Sequence, residues 1–269
     1  MPNQDSKFKY TSYEIIKKEE MMPGMFLFRL KGRLDFKPGQ FVQAALEHFG
    51  EGTFAPCSDP NQKDYFELCI RGCGSTSNGL ITLLPGDEML VRGPYGNGWP
   101  IKKLWYKDTL LIAGGMGLVP LRPLIFEMLR SKINFDKITL VAGFKTDEHL
   151  LFSHDLEIWR KKLSKVIPVV EIGSKNFWGE IGMITEPLKN LVFNKKKTIA
   201  LICGPEVMVP FVNQVLEEKG LPHNQIYISY ERRMECGIGI CQHCNIGSHL
   251  VCKDGPIFRY DQIKEEVGK

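Results

Sequence analysis

The sequence has no long hydrophobic run and no strong excess of charge of either sign. No stretch of about 18 apolar residues occurs, so no transmembrane helix is expected. The formal net charge over 269 residues is only +4, which gives no support for a nucleic-acid-binding surface. Residues 1–20 lack the apolar core of a secretory signal peptide. We therefore expect a cytoplasmic protein with no membrane and no nucleic-acid partner.

Cysteines are present in an unusual concentration near the C-terminal end. Four of the eight lie between residues 235 and 255, and in a reducing compartment such a cluster indicates metal binding rather than disulfides. Their spacing, C-x4-C-x2-C-x7-C, begins like the plant-type ferredoxin run that holds a [2Fe–2S] cluster on thiolates. The two glycines of "GIGI" allow backbone N–H groups to turn inward. The predicted cluster ligands are Cys236, Cys241, Cys244 and Cys252.

Other metal sites fit this spacing less well. A structural zinc site usually has two C-x2–4-C hairpins, and this chain offers one. A Rieske centre needs two histidine ligands, whereas here four cysteines are available. A non-catalytic module with structural zinc stays open as an alternative. Cys57, Cys69 and Cys73 lie far from this run and are expected to be small buried residues.

The pattern of apolar and polar residues changes near residue 105. Before it, short β-like runs such as "FLFRL" (26–30) and "YFELCIR" (65–71) alternate with turns, which is typical of a small antiparallel β-barrel. After it, apolar strands alternate with helical patterns, among them "PLRPLIFEMLRSK" (120–132) and the segments 149–162, 182–193 and 206–220. This alternation predicts a parallel sheet in an α/β domain, whose last strand is expected at 225–231. The predicted domains are 1–103 (barrel), 104–230 (α/β) and 231–269 (cluster segment).

Two glycine-containing turns follow strands of the predicted parallel sheet. "IAGGMGLVP" carries Gly114, Gly115, Gly117 and Pro120, and "ICGPEVM" carries Cys203, Gly204 and Pro205. A glycine turn that opens a helix lets backbone N–H groups approach a pyrophosphate. Both turns belong at the carboxyl edge of the sheet, so they could face one dinucleotide. On spacing alone, a nucleotide site and a tight structural turn are equally acceptable interpretations of the first turn. For Cys203, the pattern alone favours a small buried residue at a strand end.

Taken together, these motifs resemble the ferredoxin–NADP reductase superfamily, in which a flavin-binding barrel precedes a nicotinamide-binding domain. The first turn resembles its G-G-x-G-x-x-P motif, and "CGP" its nicotinamide-proximal motif. "YERRMECGIGICQHC", "VCKDGPIF" and "RGPYGNGWP" are most similar to sulfhydrogenase gamma subunits and to the electron-transfer subunits of anaerobic sulfite reductases. The electron-transfer subunits of dihydroorotate dehydrogenase are similar as well.

The resemblance implies a flavin site on the barrel. In place of the superfamily's Arg-x-Tyr/Phe-Ser strand this chain has "GTFA", so Thr53, Phe54 and Ala55 are implied flavin neighbours while the arginine and serine are absent. The segment "IRGCGSTSNGL" occupies the place of the flavin-phosphate loop. Its implied binding residues are Ile70, Arg71, Gly74, Thr76 and Ser77. An ordinary polar turn is the competing interpretation of that loop.

The implied cofactors define a route for electrons. Nicotinamide delivers two electrons as hydride, the cluster accepts one at a time, and flavin can do both, so FAD belongs between them. The resemblance thus implies an oxidoreductase subunit that oxidises NADH or NADPH and passes single electrons to a partner subunit, a sulfite reductase or hydrogenase. No convincing acid/base or nucleophile pair for a further substrate is present. Lys145 is followed by Asp147 and Glu148, a poor site for a 2′-phosphate, which favours NADH.

Overall fold

The computed structural model describes residues 8–131 and 134–267, and the chain divides into two compact units. One contains the chain up to Trp99, the short stretch Arg122–Leu124 and the segment Arg232–Pro256. The other contains Pro100–Leu121, Ile125–Glu231 and the chain from Ile257 onward. The cysteine-rich segment is therefore part of the same unit as the β-rich N-terminal region.

A six-stranded antiparallel sheet forms most of the first unit. Its strands are β1 (Thr11–Met22), β2 (Met25–Lys31), β3 (Phe41–Leu46), β4 (Gly50–Phe54), β5 (Tyr65–Arg71) and β6 (Glu88–Tyr95). Their order is β4-β3-β6-β1-β2-β5. A bridge between Pro56, just after β4, and Leu68 of β5 connects the two edges. The predicted antiparallel β fold is confirmed.

The core of this unit is built by residues that alternate along the strands. Phe28 and Leu30 of β2 are fully buried, as are Val42 and Ala44 of β3, because every second side chain of a strand faces the same side of the sheet. A short helix, α1 (Ser75–Leu80), follows β5 and buries Leu80 against the same cluster. The sheet therefore packs one apolar face against this core.

The second unit is an α/β domain. Its first strands are β7 (Asp108–Gly114), β8 (Ile138–Thr146), β9 (Lys165–Ile172), β10 (Glu180–Ile181), β11 (Thr198–Cys203) and β12 (Ile226–Ser229), all pairing in parallel. The helices of this part of the chain are α2 (Ile101–Leu104), α3 (Leu118–Arg130), α4 (Ser153–Lys162), α5 (Thr185–Asn190) and α6 (Met208–Glu218). The predicted α/β class is confirmed.

The strand order places the two glycine turns side by side. From β7 the chain proceeds outward through β8 and β9 on one side, and it returns on the other side through β11 and β12. In the register between β7 and β11, Ala113 lies opposite Cys203. Such a switch in direction opens a crevice at the carboxyl ends of the strands, where nucleotides bind in open α/β sheets.

The C-terminal part of the chain contains further short elements. Within the cysteine segment these are β13 (Asn245–Ile246), β14 (His249–Leu250) and α7 (Val251–Asp254). Then β15 (Ile257–Arg259) pairs antiparallel with β12 in the second unit, and α8 (Tyr260–Ile263) follows. The expectation that 225–231 holds the last strand of the sheet is therefore wrong. A strand of three residues is too short to leave a periodic pattern.

Helix positions differ from the predicted segments at their ends. The helix predicted at 149–162 begins only at Ser153, because a 3-10 turn ends at His149, and 182–193 holds only the six-residue α5. Helix α3 ends at Arg130, and the predicted end at residue 132 lies outside the described residues. None of the helices within 8–131 and 134–267 combines the length and apolar character that crossing a bilayer requires.

Candidate cofactor sites

The first candidate site is a cavity of about 730 Å³ in the second unit. The two glycine turns contribute Gly114, Gly115 and Pro205 to its wall. Charged side chains at its margin include Lys145 from β8 and Glu171 from β9. A cavity of this size at the carboxyl ends of parallel strands, with glycine backbone in its wall, suits a nicotinamide nucleotide.

The two glycine turns are packed against each other through their backbones. A Cβ atom on Gly117 would lie 2.0 Å from the carbonyl oxygen of Cys203, and one on Gly204 would lie 2.9 Å from the nitrogen of Gly114. Around Gly115, by contrast, nothing lies within 4 Å of the Cβ position, and its φ is +50°. Gly117 is thus required for close packing of the turns, whereas Gly115 offers open space for a ligand.

The remaining residues of the two turns have clear local surroundings. Pro120 lies in the first turn of α3, where a missing N–H costs nothing. Cys203 ends β11 and is fully buried; burial raises the pKa of its thiol to about 12, with a smaller contribution from the nearby Glu231. Cys203 is therefore a neutral thiol at physiological pH, as a small packing residue would be.

The second candidate site lies on the first unit, where the structure brings both parts of the predicted flavin site together. Thr53 and Phe54 are on β4, and Ala55 follows directly. Thr76 of α1 reaches this strand, with its side chain 3.5 to 3.7 Å from the Cβ positions of Gly50 and Gly52. Strand β5 ends with Ile70 and Arg71, immediately before the loop.

The hydroxyl groups of the predicted flavin-phosphate loop have partners within the protein. Thr76 Oγ1 donates to the carbonyl of Phe49 at 2.6 Å. Ser77 Oγ accepts from the backbone N–H groups of Cys73 (2.9 Å) and Gly74 (3.0 Å), which makes it part of a helix cap. Gly74 itself has no atom within 4 Å of its Cβ position. In this structure the loop is therefore a capped turn with open space beside Gly74.

The position of the absent arginine on the flavin strand has little room for a side chain. Its place is taken by Gly52, and a Cβ atom there would lie 3.1 Å from the Phe54 ring. An unpartnered donor lies on the neighbouring strand: Gln43 is fully buried, its Oε1 accepts from Thr53 at 3.1 Å, and its Nε2 has no hydrogen-bond partner. A buried donor without a partner is costly, and the carbonyl groups of a flavin ring are suitable acceptors. These residues fit a flavin.

The third candidate site is the cysteine loop, whose sulfurs receive backbone N–H groups. Ile240 N and Cys241 N donate to Cys236 Sγ at 3.3 and 3.4 Å. Gly239 N donates to Cys252 Sγ at 3.1 Å, and Cys252 N to Cys244 Sγ at 3.4 Å. The positive φ of Gly237 (+72°) and Gly239 (+82°) turns the loop inward. N–H groups directed at sulfur stabilise thiolates.

The four cysteines fall into two pairs. Burial alone would raise the pKa of Cys236, but backbone N–H groups and a hydrogen bond from Cys241 outweigh it and lower that pKa to about 6. Burial and a hydrogen bond with Cys244 raise the pKa of Cys252 to about 12. Among the described residues, no three His, Cys, Asp or Glu side chains converge as ligands of a single metal ion. The donor set of four thiols with inward N–H groups fits an iron–sulfur cluster.

Space for a group exists beside the cysteines. Gly237, Ile238 and Cys252 line a cavity of about 420 Å³ that is also bordered by Tyr95 and Lys9. The other cysteines are elsewhere: Cys57 and Cys69 are buried in the first unit, and Cys73 is exposed in the loop before α1. The expectation of burial is therefore wrong for Cys73, because that thiol lies at the open end of a capped turn.

Fold and sites together define a reductase of the ferredoxin–NADP reductase type. Three family descriptions match consecutive parts of the chain. They are the oxidoreductase FAD-binding domain (residues 12–99), the oxidoreductase NAD-binding domain (111–214) and the iron–sulfur cluster binding domain of dihydroorotate dehydrogenase B (231–264).

Curated relatives cover nearly the whole chain. The sulfhydrogenase 1 subunit gamma of Pyrococcus furiosus is 38% identical over 257 residues, which cover 91% of this chain and 88% of the relative. A probable dihydroorotate dehydrogenase B electron transfer subunit of Methanocaldococcus jannaschii is 34% identical over 93% of this chain and 90% of its own length. The chain belongs to this family of FAD- and NAD-binding electron-transfer subunits with an iron–sulfur domain, and it is an NAD(P)H-dependent oxidoreductase subunit.

Solved structures agree on the fold. A chain of an NADH-dependent reduced ferredoxin–NADP oxidoreductase superposes with a TM-score of 0.76 at 24% identity, covering 97% of this chain and 94% of that one. A ferredoxin NADP+ reductase from Neisseria gonorrhoeae gives 0.72 at 23% identity, covering 82% of this chain and 98% of that one.

Sequence reasoning missed residues that lie between the predicted sites. Gln43 and Arg92 are both buried polar residues on strands of the first sheet. The available signal was an arginine directly after the apolar run "MLV" and a glutamine in "FVQAAL", because a buried polar side chain needs a specific partner.

Proposed function

We propose that this chain takes hydride from NADH onto FAD and passes single electrons through a [2Fe–2S] cluster to a partner redox subunit. The observation that carries the proposal is the cysteine loop, in which three of the four thiols, those of Cys236, Cys244 and Cys252, receive backbone N–H groups. A two-iron cluster binds through pairs of thiolates, and N–H donors to the sulfurs tune its potential. The proposed ligands are Cys236, Cys241, Cys244 and Cys252.

The proposed nicotinamide site is the cavity beside the two glycine turns. Gly114, Gly115 and Gly117, with Pro120, would form the pyrophosphate side, and Cys203, Gly204 and Pro205 the nicotinamide side. NADH is proposed over NADPH, because Glu171 in the cavity wall would repel a 2′-phosphate, although Lys145 lies at the same margin.

The proposed flavin site uses β4 and the loop before α1. Thr53, Phe54 and Ala55 would contact the ring. A second group would lie near the phosphates: Ile70, Arg71, Gly74, Thr76 and Ser77. The unpartnered Nε2 of Gln43 supports this position, since the bound flavin would supply the missing acceptor. We keep the proposed division of the chain into domains 1–103, 104–230 and 231–269, and the cytoplasmic location remains a prediction.

The proposed partner is a hydrogenase- or sulfite-reductase-type subunit. The relative at 38% identity is named as a subunit of sulfhydrogenase, which supports the hydrogenase class. Relatives at 32–34% identity are named as electron transfer subunits of dihydroorotate dehydrogenase, so that enzyme is the second candidate. Both names describe a subunit of a larger enzyme, and the second names electron transfer as the role of that subunit.

The test is purification under anaerobic conditions from the native source, followed by analysis of flavin, iron, acid-labile sulfide, zinc and any co-purifying chain. The proposal predicts one flavin, two irons and two sulfides per chain, with a partner that accepts electrons. The Cys241→Ser variant should lose iron, whereas Cys73→Ser, which changes an exposed thiol outside the loop, should keep it. Zinc in place of iron would contradict the proposal.

A further inference from the structure

Arg92 is a buried cation that connects the flavin-side sheet to the cysteine loop within the first unit. It lies on β6, and only 2% of its side chain is exposed. Its Nη1 donates to the carbonyl oxygen of Cys236 at 2.9 Å and to the hydroxyl of Tyr95 at 3.2 Å. The backbone of a proposed cluster ligand is therefore held by a charged group.

The opposite side of the guanidinium is paired with Glu51. Nε and Nη2 of Arg92 donate to the two carboxylate oxygens at 2.8 and 2.6 Å, the bidentate geometry that is strongest for this pair. Burial alone would lower the pKa of Arg92 and raise that of Glu51, but their mutual hydrogen bonds outweigh burial in both cases. Both groups are therefore charged.

Arg92 is the last member of a row of polar side chains that crosses three neighbouring strands. In the sheet register, Thr53 of β4 lies opposite Gln43 of β3, and Gln43 lies opposite Arg92 of β6. The row is continuous with the cysteine loop, because a Cβ atom on Gly237 would lie 3.2 Å from Gln43 Nε2. Residues opposite each other in a sheet share one face, so the row leads from the proposed flavin strand to the Cys236 end of the loop.

We propose that Arg92, with Glu51 as its counter-charge, is a positioning residue that anchors the Cys236 end of the loop and sets the reduction potential of the cluster. The inference rests on the proposed function, because it presupposes a cluster on these cysteines. Reduction adds one electron to the cluster, and a buried positive charge nearby favours the more negative state. Glu51 opposes this effect and also fixes the guanidinium in place.

Removal of the positive charge of Arg92 and removal of the negative charge of Glu51 should shift the reduction potential of the cluster in opposite directions. Arg92→Gln removes the cation and leaves Glu51 uncompensated, so the cluster should become harder to reduce. Glu51→Gln leaves Arg92 uncompensated, so the cluster should become easier to reduce. Arg92→Lys keeps the charge but loses the bidentate fork, so its potential should stay close to that of the wild type while the loop holds iron less firmly.

The experiment is a potentiometric titration of the purified protein, followed by the electron paramagnetic resonance signal of the reduced cluster. At the wild-type midpoint, Arg92→Gln should lower the ratio of reduced to oxidised cluster about tenfold, equivalent to about 59 mV for a one-electron couple. Glu51→Gln should raise that ratio about threefold, less because its carboxylate is partly exposed and screened.

The matched control is Arg29→Gln. Arg29 also donates to a glutamate, Glu67, through Nε and Nη2 in the same unit, and no cysteine of the loop is involved in that pair. This variant should leave the potential unchanged.

Three outcomes decide the question. A lower reduction potential in Arg92→Gln and a higher one in Glu51→Gln, with an unchanged potential in Arg29→Gln, would support the inference. Equal potentials in all variants, or shifts of the same sign, would overturn it and leave the proposed function intact. A wild-type protein with no iron and no reduced-cluster signal would instead overturn the proposed function itself.

Discussion

The Gly117→Ala substitution is expected to disturb the packing of the two glycine turns against each other. Gly117 has ordinary helical dihedral angles, with φ −60° and ψ −16°, so alanine would cause no backbone strain there. The difficulty is steric: the new Cβ would lie 2.0 Å from the carbonyl oxygen of Cys203, 2.3 Å from its carbonyl carbon and 2.7 Å from Gly204 N. Backbone atoms must therefore move for alanine to fit.

The size of the effect follows from this clash. Overpacking lowers the free energy of unfolding by about 1–3 kcal/mol. Because the new Cβ clashes with backbone atoms at a buried strand end, we expect a loss of about 3 kcal/mol. For a domain of this size, that loss lowers the midpoint of thermal unfolding by roughly 6–12 °C. Displacement of the turn from Gly204 should also weaken NADH binding.

The assay is thermal unfolding by circular dichroism with and without NADH, with Gly115→Asn as the matched control. Gly115 has φ +50° and no atom within 4 Å of its Cβ position, and asparagine tolerates this conformation, so its midpoint should fall by only a few degrees. An unchanged midpoint for Gly117→Ala, or a larger loss for Gly115→Asn, would refute the assignment of Gly117 to packing.

Three further predictions address the other sites. Serine at Cys236, Cys244 or Cys252 should abolish or destabilise the signal of the reduced cluster in electron paramagnetic resonance, and a normal signal in any of these variants would exclude that residue as a ligand. The ion pair with Arg92 holds the pKa of Glu51 in the folded protein below its ordinary value of 4.5. The charged Glu51 therefore contributes its full stabilisation above pH 4.5, and this contribution is lost as the pH falls through the folded-state pKa. Acidification from about pH 6 to about pH 3 should therefore lower the unfolding midpoint more in the wild type than in Glu51→Gln, and parallel curves would contradict this. NADH should give a higher kcat/KM than NADPH, and Glu171→Gln should narrow the difference; a wild-type preference for NADPH would refute the assigned role of Glu171.

Sequence patterns predicted those features that depend on local spacing. The cysteine loop was recognisable because all four thiols fall within a short segment, and the strand-glycine-helix junction after β7 was recognisable because its elements follow directly along the chain. Strand β4 was harder to recognise, because "GEGTF" has no apolar alternation. It forms a strand through its hydrogen bonds with β3, and tertiary pairing of this kind overrides weak propensity.

Long-range partners were outside the reach of the sequence. Arg92 and Cys236 are 144 residues apart, and no local pattern connects a β-strand arginine to the carbonyl of a loop cysteine. The packing role of Gly117 likewise depends on where β11 ends. A glycine motif predicts that close approach is needed, but it does not identify the group that approaches.

The most direct test of the central claim is an anaerobic titration of the purified protein with NADH, followed by absorbance and electron paramagnetic resonance. FAD takes two electrons and a [2Fe–2S] cluster takes one, so full reduction should consume about 1.5 NADH per chain, with flavin bleaching and the reduced-cluster signal both developing. Reduction that stops at one NADH per flavin, with no cluster signal in a protein that contains iron, would contradict the proposed path from nicotinamide through flavin to the cluster.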